Sequence, residues 1–442
     1  MSLFHYNMIR SNGQRDIRVA FYTLGCKLNQ AETESLASQF TEAGYRLVAP
    51  NDKADIYIAN TCTVTHIADR KSRHWLRLSK RRNPEAAVIA TGCYAQRAPQ
   101  DLTQIADLVI DNGKKERLLE IVENLSLPAR IYSPTKGSVI RARSLIKIQD
   151  GCRTPCTYCI VPTVRPHEYS LPPHQIVGEI RDKIAAGYKE VVLTGTKIGC
   201  YEHDGTNLKD LVERILYGTD VQRLRLSSLQ PQEISAQFLS LWQDTKLGTG
   251  TGPTLCRHFH LALQSGSNTV LQRMKRCYSL SDYRAVMILI RQAVPGAAIT
   301  TDIMVGFPGE TDEEFEDSYH FCQQAGFANI HVFPFSARPG TEAAKMTNQV
   351  KYQVKKDRAH RMLELAGYCW HSFCEQFLGQ IMSVLWEKET NAGNGIYSGL
   401  TDNYIRVFTQ SSKPLNNKIV PVKLASFYNK GMWGELTHEY PG

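Results

Sequence analysis

Three cysteines lie close together in the segment Gly151-Cys152-Arg-Thr-Pro-Cys156-Thr-Tyr-Cys159. The C-x3-C-x2-C spacing puts three thiolates on one short loop, where they can converge on a soft metal centre. A 4Fe-4S cluster has four irons, so three cysteines leave one iron open. An open iron can bind and activate a ligand, whereas a cluster with four cysteines only transfers electrons. The spacing therefore predicts a reactive iron–sulfur cluster.

Other uses of these thiols fit the segment less well. A structural zinc site needs four ligands, and His167 is the nearest additional candidate. A thioredoxin-like pair at Cys156 and Cys159 would leave Cys152 without a role. Free structural thiols remain the third alternative. We favour the cluster because the loop also follows a predicted strand, where a β/α barrel carries its chemistry.

A second set of cysteines is scattered along the first hundred residues. Cys26, Cys62 and Cys93 each end an apolar run that predicts a buried strand. The carboxyl ends of parallel strands meet at one edge of a sheet, so the three thiols should meet there. Gly25 and Gly92 would let the backbone approach a bulky group closely. The pattern predicts a second three-cysteine cluster; the alternative is three ordinary buried cysteines.

The elements that must position these residues are of α/β type, with an all-β tail. Strands at Arg18–Cys26, Ile56–Cys62 and Ala87–Cys93 alternate with helices and predict an N-terminal open parallel sheet. Six further strands alternating with helices predict a complete or partial β/α barrel: Ser144–Gln149, Glu190–Thr194, Arg223–Ser228, His258–Gln264, Ile299–Val305 and Ile330–Phe335. After Gly379, five short strands predict a small all-β barrel.

Composition limits the classes of protein to consider. Apolar residues make up 42% of the 442 residues and charged residues 21%, and no apolar run is long enough to cross a membrane. Residues 1–16 lack the apolar core of a signal peptide, so we expect a cytoplasmic protein with reduced thiols and no membrane partner. Twelve cysteines then indicate metal binding rather than disulfides.

The net charge of +9 is concentrated in patches. Seven basic residues and one acid lie between Asp69 and Arg82, and further patches lie at 136–147 and 351–361. Such patches fit a polyanion, with nucleic acid as the leading candidate. The alternative for each patch is a solvated helix face.

The first cysteine segment, with the aromatic Tyr158 before its last cysteine, resembles the radical S-adenosylmethionine superfamily. The resemblance implies that the open iron binds the amino and carboxylate groups of S-adenosylmethionine. It further implies reductive cleavage to a 5′-deoxyadenosyl radical, which removes a hydrogen atom from a C–H bond. Gly195 and Gln264 follow barrel strands and could contact this cofactor; strand-end packing explains them equally well.

Other segments resemble the methylthiotransferases more narrowly. They are Thr23-Leu-Gly-Cys26-Lys-Leu-Asn-Gln-Ala-Glu32, Asn60-Thr-Cys62-Thr-Val-Thr65, Thr91-Gly-Cys93, Thr301-Asp-Ile-Met-Val-Gly-Phe-Pro-Gly-Glu-Thr311 and Phe335-Ser-Ala-Arg-Pro-Gly-Thr341. The tail Gly399-Leu-Thr-Asp-Asn-Tyr404-Ile-Arg-Val407 resembles the TRAM domain, an RNA-binding barrel. The resemblance implies three domains: a methylthiotransferase N-terminal domain at 16–128, a radical S-adenosylmethionine core at 138–370, and a TRAM domain at 372–440.

The resemblance implies insertion of a methylthio group with two 4Fe-4S clusters and S-adenosylmethionine. The motifs look most like the group that acts at C2 of N6-threonylcarbamoyladenosine at tRNA position 37. Partners would be the tRNA anticodon stem-loop and a flavodoxin-type electron donor. Isopentenyladenosine in tRNA and a ribosomal-protein aspartate are alternative substrates, and a non-catalytic iron–sulfur RNA-binding protein is the alternative of another class.

The expected RNA contacts come from the first basic patch and the tail. The basic patch would supply phosphate contacts, and aromatic and basic residues of the tail would stack or pair with RNA. The predicted residues are Arg70, Lys71, Arg73, Arg77, Tyr404 and Arg406. One segment departs from the family: Arg165-Pro-His-Glu-Tyr-Ser-Leu171 stands where the family usually has Arg-Gly followed by Arg-Ser-Arg. Two basic residues expected near the active site are missing from it.

Overall fold

The computed structural model describes residues 17–124, 142–243, 254–391 and 393–437. The stretch Ser126–Ser138, whose prolines and glycine predict a linker, lies outside these ranges, as do the basic residues Lys136 and Arg141 of the second patch. The chain divides into two compact units, residues 1–63 with 67–138, and residues 64–66 with 139–442. No helix among the described residues combines the length and apolar character needed to cross a membrane.

The smaller unit is a five-stranded parallel sheet with helices on its faces. Its elements are β1 (Arg18–Thr23), α1 (Lys27–Glu42), β2 (Arg46–Val48), β3 (Ile56–Thr61), α2 (His66–Arg82), β4 (Ala87–Gly92), α3 (Cys93–Arg97), β5 (Leu108–Val109) and α4 (Leu118–Glu123). The strand order is β2-β1-β3-β4-β5, and all pairs are parallel. The prediction of an open parallel sheet is confirmed.

Burial explains why the central strands of this sheet form. Every residue of β3 is buried, as is nearly all of β4, because helices cover both faces of the sheet. One face packs around Tyr57 and Trp75, and the other around Ile58 and Phe40. The strands are shorter than the apolar runs predicted. β3 and β4 end one residue before Cys62 and Cys93, and β1 ends three residues before Cys26.

The larger unit contains two parallel sheets that together form a partial β/α barrel. The first has the order β13-β11-β8-β6-β7, with only β7 antiparallel, and the second β12-β14-β15-β16. Their strands are β6 (Arg143–Asp150), β7 (Tyr169–Ser170), β8 (Glu190–Gly195), β11 (Arg223–Leu226), β12 (Ser228–Leu229), β13 (Thr254–Leu255), β14 (His258–Leu261), β15 (Ala298–Val305) and β16 (Asn329–Pro334); β9 (Glu202–His203) and β10 (Thr206–Asn207) form a separate hairpin. All six predicted strands are present.

Helices alternate with these strands and enclose one large apolar core. They are α5 (Val161–Val164), α6 (Pro173–Ala185), α7 (Leu208–Gly218), α8 (Ala236–Leu239), α9 (Asn268–Arg273), α10 (Leu280–Ala293), α11 (Asp312–Ala325), α12 (Glu342–Lys345) and α13 (Tyr352–Glu375). Capping boxes begin α7, α10 and α11, where a side chain at the cap and one in the first turn each satisfy a free backbone N–H.

The tail forms a closed five-stranded barrel, as predicted. Its strands are β17 (Ile381–Glu389), β18 (Ile396–Thr401), β19 (Arg406–Gln410), β20 (Ile419–Tyr428) and β21 (Gly431–Leu436), in the order β17-β18-β19-β21-β20. Trp386 and Val407 are fully buried in its core. The core extends to Phe373 and Phe377 at the end of α13, so the barrel packs on that helix.

Buried arginines join the small barrel to the amino ends of the parallel strands. Arg225 on β11 pairs with Glu190, the first residue of β8, at 2.7 Å, and neither side chain is exposed. The guanidinium also donates to the carbonyl oxygens of Asp402 (2.8 Å) and Thr401 (3.2 Å) in the turn after β18. Burial raises the pKa of Glu190, but Arg225 outweighs burial and brings that pKa below its usual range.

Removing the Arg225 charge should therefore destabilise the larger unit. We expect Arg225→Met to lower its free energy of unfolding by about 3–5 kcal/mol, because Glu190 is left as an unpaired buried charge. Lys209→Met, which removes a surface pair with Glu213, serves as the control and should cost less than about 1 kcal/mol. Urea unfolding measures both, and equal losses in the two variants would contradict the structural role of Arg225.

Candidate metal centres and nucleic-acid surface

The loop that follows β6 brings the first three cysteines together. The N–H of Cys159 donates to the carbonyl oxygen of Cys156 at 3.0 Å, and the N–H of Thr154 lies 3.4 Å from Cys152 Sγ. Burial raises the pKa of the Cys159 thiol to about 12, and the nearby Cys156 and Cys152 raise it further by charge repulsion. The three thiols are thus within electrostatic range of one another at the carboxyl end of a barrel strand.

The loop that departs from the family is tied to β6. Arg165 is buried and pairs with Asp150 through contacts of 2.7 and 2.8 Å. Tyr169 lies opposite Asp150 in the short strand β7 and accepts a hydrogen bond from Lys147 at 2.8 Å. Gly151 allows this packing because it has no Cβ. A Cβ there would lie 2.1 Å from the carbonyl oxygen of His167. The basic residue that this loop retains supports the cysteine loop.

Gly195 and Gln264 both lie at carboxyl ends of barrel strands, as the sequence indicated. Gly195 is the last residue of β8, and a Cβ there would lie 2.7 Å from the carbonyl oxygen of Gln149. Gln264 bridges to Ile303 with a left-handed backbone (φ 73°), which is strained for a residue other than glycine. Strain of this kind is frequent at functional sites. Contact of either residue with S-adenosylmethionine stays a prediction.

The register of the smaller sheet sets the second group of cysteines. Thr61 pairs with Gly92, so Cys62 and Cys93, the next residues along, leave the same edge side by side. Thr23 pairs with Asn60, which brings the turn that carries Cys26 to this edge. A Cβ on Gly25 would lie 2.8 Å from both Cβ and Sγ of Cys62. Gly25 therefore lets the Cys26 turn pack directly on Cys62.

Buried amides hold the three strand ends in place. Asn29, fully buried on α1, donates to the carbonyl oxygens of Leu24 (2.8 Å) and Thr61 (3.2 Å), which precede Cys26 and Cys62. The Thr61 hydroxyl donates to the carbonyl oxygen of Thr91 at 2.5 Å, close to Cys93. Asn60 in turn donates to the carbonyl oxygen of Asn29 at 2.9 Å. One polar network thus links all three turns.

Across the described ranges, no three cysteine, histidine or carboxylate side chains converge closely enough to hold a single metal ion. A 4Fe-4S cluster requires less convergence, because each thiolate binds a different iron. The ligand of each cysteine group stays a prediction.

The remaining cysteines show no such grouping. Cys256, Cys322, Cys369 and Cys374 are buried, and the last three belong to the apolar cores. Burial raises the pKa of the Cys256 and Cys374 thiols to about 12, which keeps them protonated. Cys200 and Cys277 are exposed.

The first basic patch lies on α2 and has one strongly cationic face. Arg70, His74, Arg77 and Arg81 recur at helical spacing and are exposed, with Lys71 beside them. Arg73 differs from this set because its guanidinium donates to the Tyr94 hydroxyl. In the third patch, Arg358 and Arg361 pair with acidic residues near or on α11, so that patch is partly neutralised.

Tyr404 and Arg406 both contact other side chains. The Tyr404 ring stacks on His258 (centroids 4.5 Å apart, planes at 10°), and the Arg225 guanidinium lies 4.9 Å from its centroid. Arg406 pairs with Glu387 on β17. The structure thus places Tyr404 at the amino ends of the barrel strands, opposite the edge that carries the cysteine loop. Contact of either residue with RNA stays a prediction.

Two charged residues beside the cysteine loop were not predicted from the sequence. Arg276 donates to Cys156 Sγ at 3.4 Å. Lys197 lies 3.5 Å from the Thr154 hydroxyl and 3.7 Å from Glu233. A sequence gives no distance between residues so far apart along the chain.

Comparison with known proteins adds an independent line of argument. Residues 18–111 match a model described as an uncharacterized protein family, UPF0004, and residues 146–322 match the radical SAM superfamily. The chain is 36% identical to "Threonylcarbamoyladenosine tRNA methylthiotransferase MtaB" of Bacillus subtilis (strain 168), over 95% of this chain and 97% of the relative. The protein of the same name from Aquifex aeolicus (strain VF5) is 35% identical over 91% and 99%.

A second group of relatives carries a different name. "tRNA-2-methylthio-N(6)-dimethylallyladenosine synthase" of Bacillus mycoides (strain KBAB4) is 32% identical over 94% of this chain and 85% of the relative. Among solved structures, the radical S-adenosylmethionine methyltransferase TsrM from Kitasatospora setae aligns with a TM-score of 0.54 and 14% identity, over 74% of this chain and 77% of that one. That likeness shows a shared fold.

The resemblance drawn from the motifs is confirmed by these matches, which cover both the cysteine-bearing sheet and the barrel. Identity above 30% along almost the full length of the chain and of its relatives identifies the family. The chain belongs to the methylthiotransferases of the radical SAM superfamily.

Proposed function

We propose that the protein inserts a methylthio group at C2 of N6-threonylcarbamoyladenosine at position 37 of tRNA. The observation that carries the proposal is near full-length similarity to curated proteins named for threonylcarbamoyladenosine in tRNA. The two cysteine groups, which follow the carboxyl ends of strands in two different sheets, support it. The chemistry needs both a radical source and a sulfur-delivering centre.

The first centre would be held by Cys152, Cys156 and Cys159. A 4Fe-4S cluster there, with S-adenosylmethionine, supplies the radical chemistry. The chain contributes the binding loop, and the ion pair of Arg165 with Asp150 lies where this loop begins. Gly195 and Gln264 at neighbouring strand ends would border the cofactor, and the strained backbone of Gln264 supports a role there.

The second centre would be held by Cys26, Cys62 and Cys93. The strand register and the Asn29 network support this assignment, because both hold the three cysteine turns at one edge of the sheet. This cluster would help to deliver the sulfur.

RNA would be bound by α2 and by the small barrel, which we assign as a TRAM domain. The exposed cationic face of α2 is complementary to phosphates of the anticodon stem-loop. The barrel would contribute Arg406 and further residues, within a division into domains 16–128, 138–370 and 372–440. We further propose a cytoplasmic location and a flavodoxin-type electron donor.

The substrate is tested by mass spectrometry of tRNA nucleosides. A strain that lacks the gene should lose 2-methylthio-N6-threonylcarbamoyladenosine and regain it with the intact gene, but not with Cys152→Ala. Loss of 2-methylthio-isopentenyladenosine instead would favour the activity named for the second group of relatives. Unchanged levels of both nucleosides would contradict action on tRNA.

The two-cluster assignment predicts iron content. Anaerobic reconstitution should give about eight irons per chain, because each 4Fe-4S cluster contributes four. Cys152→Ala and Cys62→Ala should each remove half of this iron, whereas Cys200→Ala, an exposed cysteine outside both groups, should remove none. Unchanged iron in Cys62→Ala would refute the second cluster.

The cationic face of α2 predicts a salt-dependent effect on tRNA affinity. Arg70→Gln with Arg77→Gln should weaken binding and reduce the slope of log K against log salt by about 2, because two phosphate contacts are lost. The matched control, Arg46→Gln with Lys53→Gln, removes the same charge from exposed residues of the same unit outside α2. Equal effects of the two pairs would mean that only net charge matters.

A further inference from the structure

Arg276 is a half-buried cation beside the cysteine loop, and its hydrogen bonds are incomplete. Its Nη1 donates to Cys156 Sγ at 3.4 Å, and its Nε donates to the Tyr278 hydroxyl at 3.0 Å. Its Nη2 is shielded from solvent and finds no acceptor among the described residues. Buried donors without acceptors are rare, because each one costs desolvation free energy. The side chain can therefore donate to an acceptor that the described residues do not supply.

The position of Arg276 is fixed relative to the cysteines. Thr157, between two of them, donates through its N–H to the carbonyl oxygen of Met274 (3.2 Å) and through its hydroxyl to that of Arg273 (3.0 Å). The Tyr278 ring lies 4.9 Å from the Arg276 guanidinium, and its hydroxyl faces the carbonyl oxygen of Ala262 at 2.6 Å. The guanidinium is therefore held at the loop from both sides.

Charge compensation indicates what this group is. Among the residues that the structure describes, no carboxylate lies within ion-pair distance of Arg276; its close neighbours are Cys156 and the phenols of Tyr158 and Tyr278. A buried cation needs an anionic partner. Thiols become anionic when they bind metal, so a cluster on Cys156 would supply the missing negative charge.

We propose that Arg276 is a positioning residue that sets the reduction potential of the cluster held by Cys152, Cys156 and Cys159. The inference rests on the proposed assignment of that triad. A reduced cluster carries one more negative charge than an oxidised one. A nearby cation and an N–H···S hydrogen bond stabilise the reduced state more and raise the potential. The electron itself comes from a low-potential one-electron reductant, which is dithionite in the test below.

The test is a redox titration of the reconstituted full-length chain, with the reduced cluster measured by electron paramagnetic resonance. A Cys62→Ala background keeps the second cluster from contributing. At a fixed solution potential, Arg276→Gln should lower the ratio of reduced to oxidised cluster about tenfold, which equals 59 mV for a one-electron couple. Arg276→Lys keeps the charge and should shift the ratio less.

Arg273→Gln is the matched control. It removes an arginine from the same segment, but that guanidinium pairs with Glu314 at 2.5 Å and contacts no thiol. We expect no change in the reduced-to-oxidised ratio for this variant. An equal shift in Arg273→Gln and Arg276→Gln would show a structural effect of the segment and overturn the proposal.

Failure of this inference is distinguishable from failure of the proposed function. Absence of iron and of a resonance signal in the Cys62→Ala background would contradict the cysteine assignment itself. A normal signal with an unchanged potential in Arg276→Gln would overturn only the role of Arg276. If Arg276→Gln fails to bind iron, Tyr278→Phe provides the test, because it removes the hydroxyl that accepts from the Arg276 Nε. A reduced-to-oxidised ratio equal to that of the Cys62→Ala background would then count against the proposal.

Discussion

Parallel strand pairing is the constraint on which both candidate metal centres depend. In a parallel sheet every strand must return to the same starting edge, so all carboxyl ends meet at the other edge. In the smaller unit this pairing brings together cysteines that are about thirty residues apart, and the register of Thr61 with Gly92 sets two of them side by side. In the larger unit the same rule puts the Cys152 loop beside Gly195, because β6 pairs with β8.

At the opposite edge, the amino ends of the strands in the larger unit contact the small barrel. Arg223, Arg225 and Arg257 lie near the amino ends of the barrel strands and contact the strand β18 and the turn after it, through Leu400, Thr401 and Asp402. Tyr404 completes this contact by stacking on His258. The motif that resembles an RNA-binding domain therefore includes residues that fasten the barrel to the sheets.

Sequence reasoning succeeded where the signal is periodic and local. The buried runs at β3, β4 and β15 and the five tail strands have period-two or continuous apolar patterns, and these alone located them. The cysteines were informative because they recur at strand ends. The Asn29 network, the Arg225 pair and the Arg276 contact could not be predicted, since each joins residues far apart in the chain. The stacking of Tyr404 on His258 could not be predicted either, because no local pattern encodes a contact between residues so far apart.

The distribution of charge separates structural cations from functional ones. Arg225 and Arg165 have buried carboxylate partners, so their charges are compensated within the fold. The exposed residues Arg70 and Arg77 are solvated and gain little from folding, which leaves them available to phosphates. Arg276 fits neither class, because its Nη2 is shielded from solvent and its described partners are a thiol and a phenol. Binding of an anion would compensate this charge, and the thiolates of the proposed metal centre are the candidates within its reach.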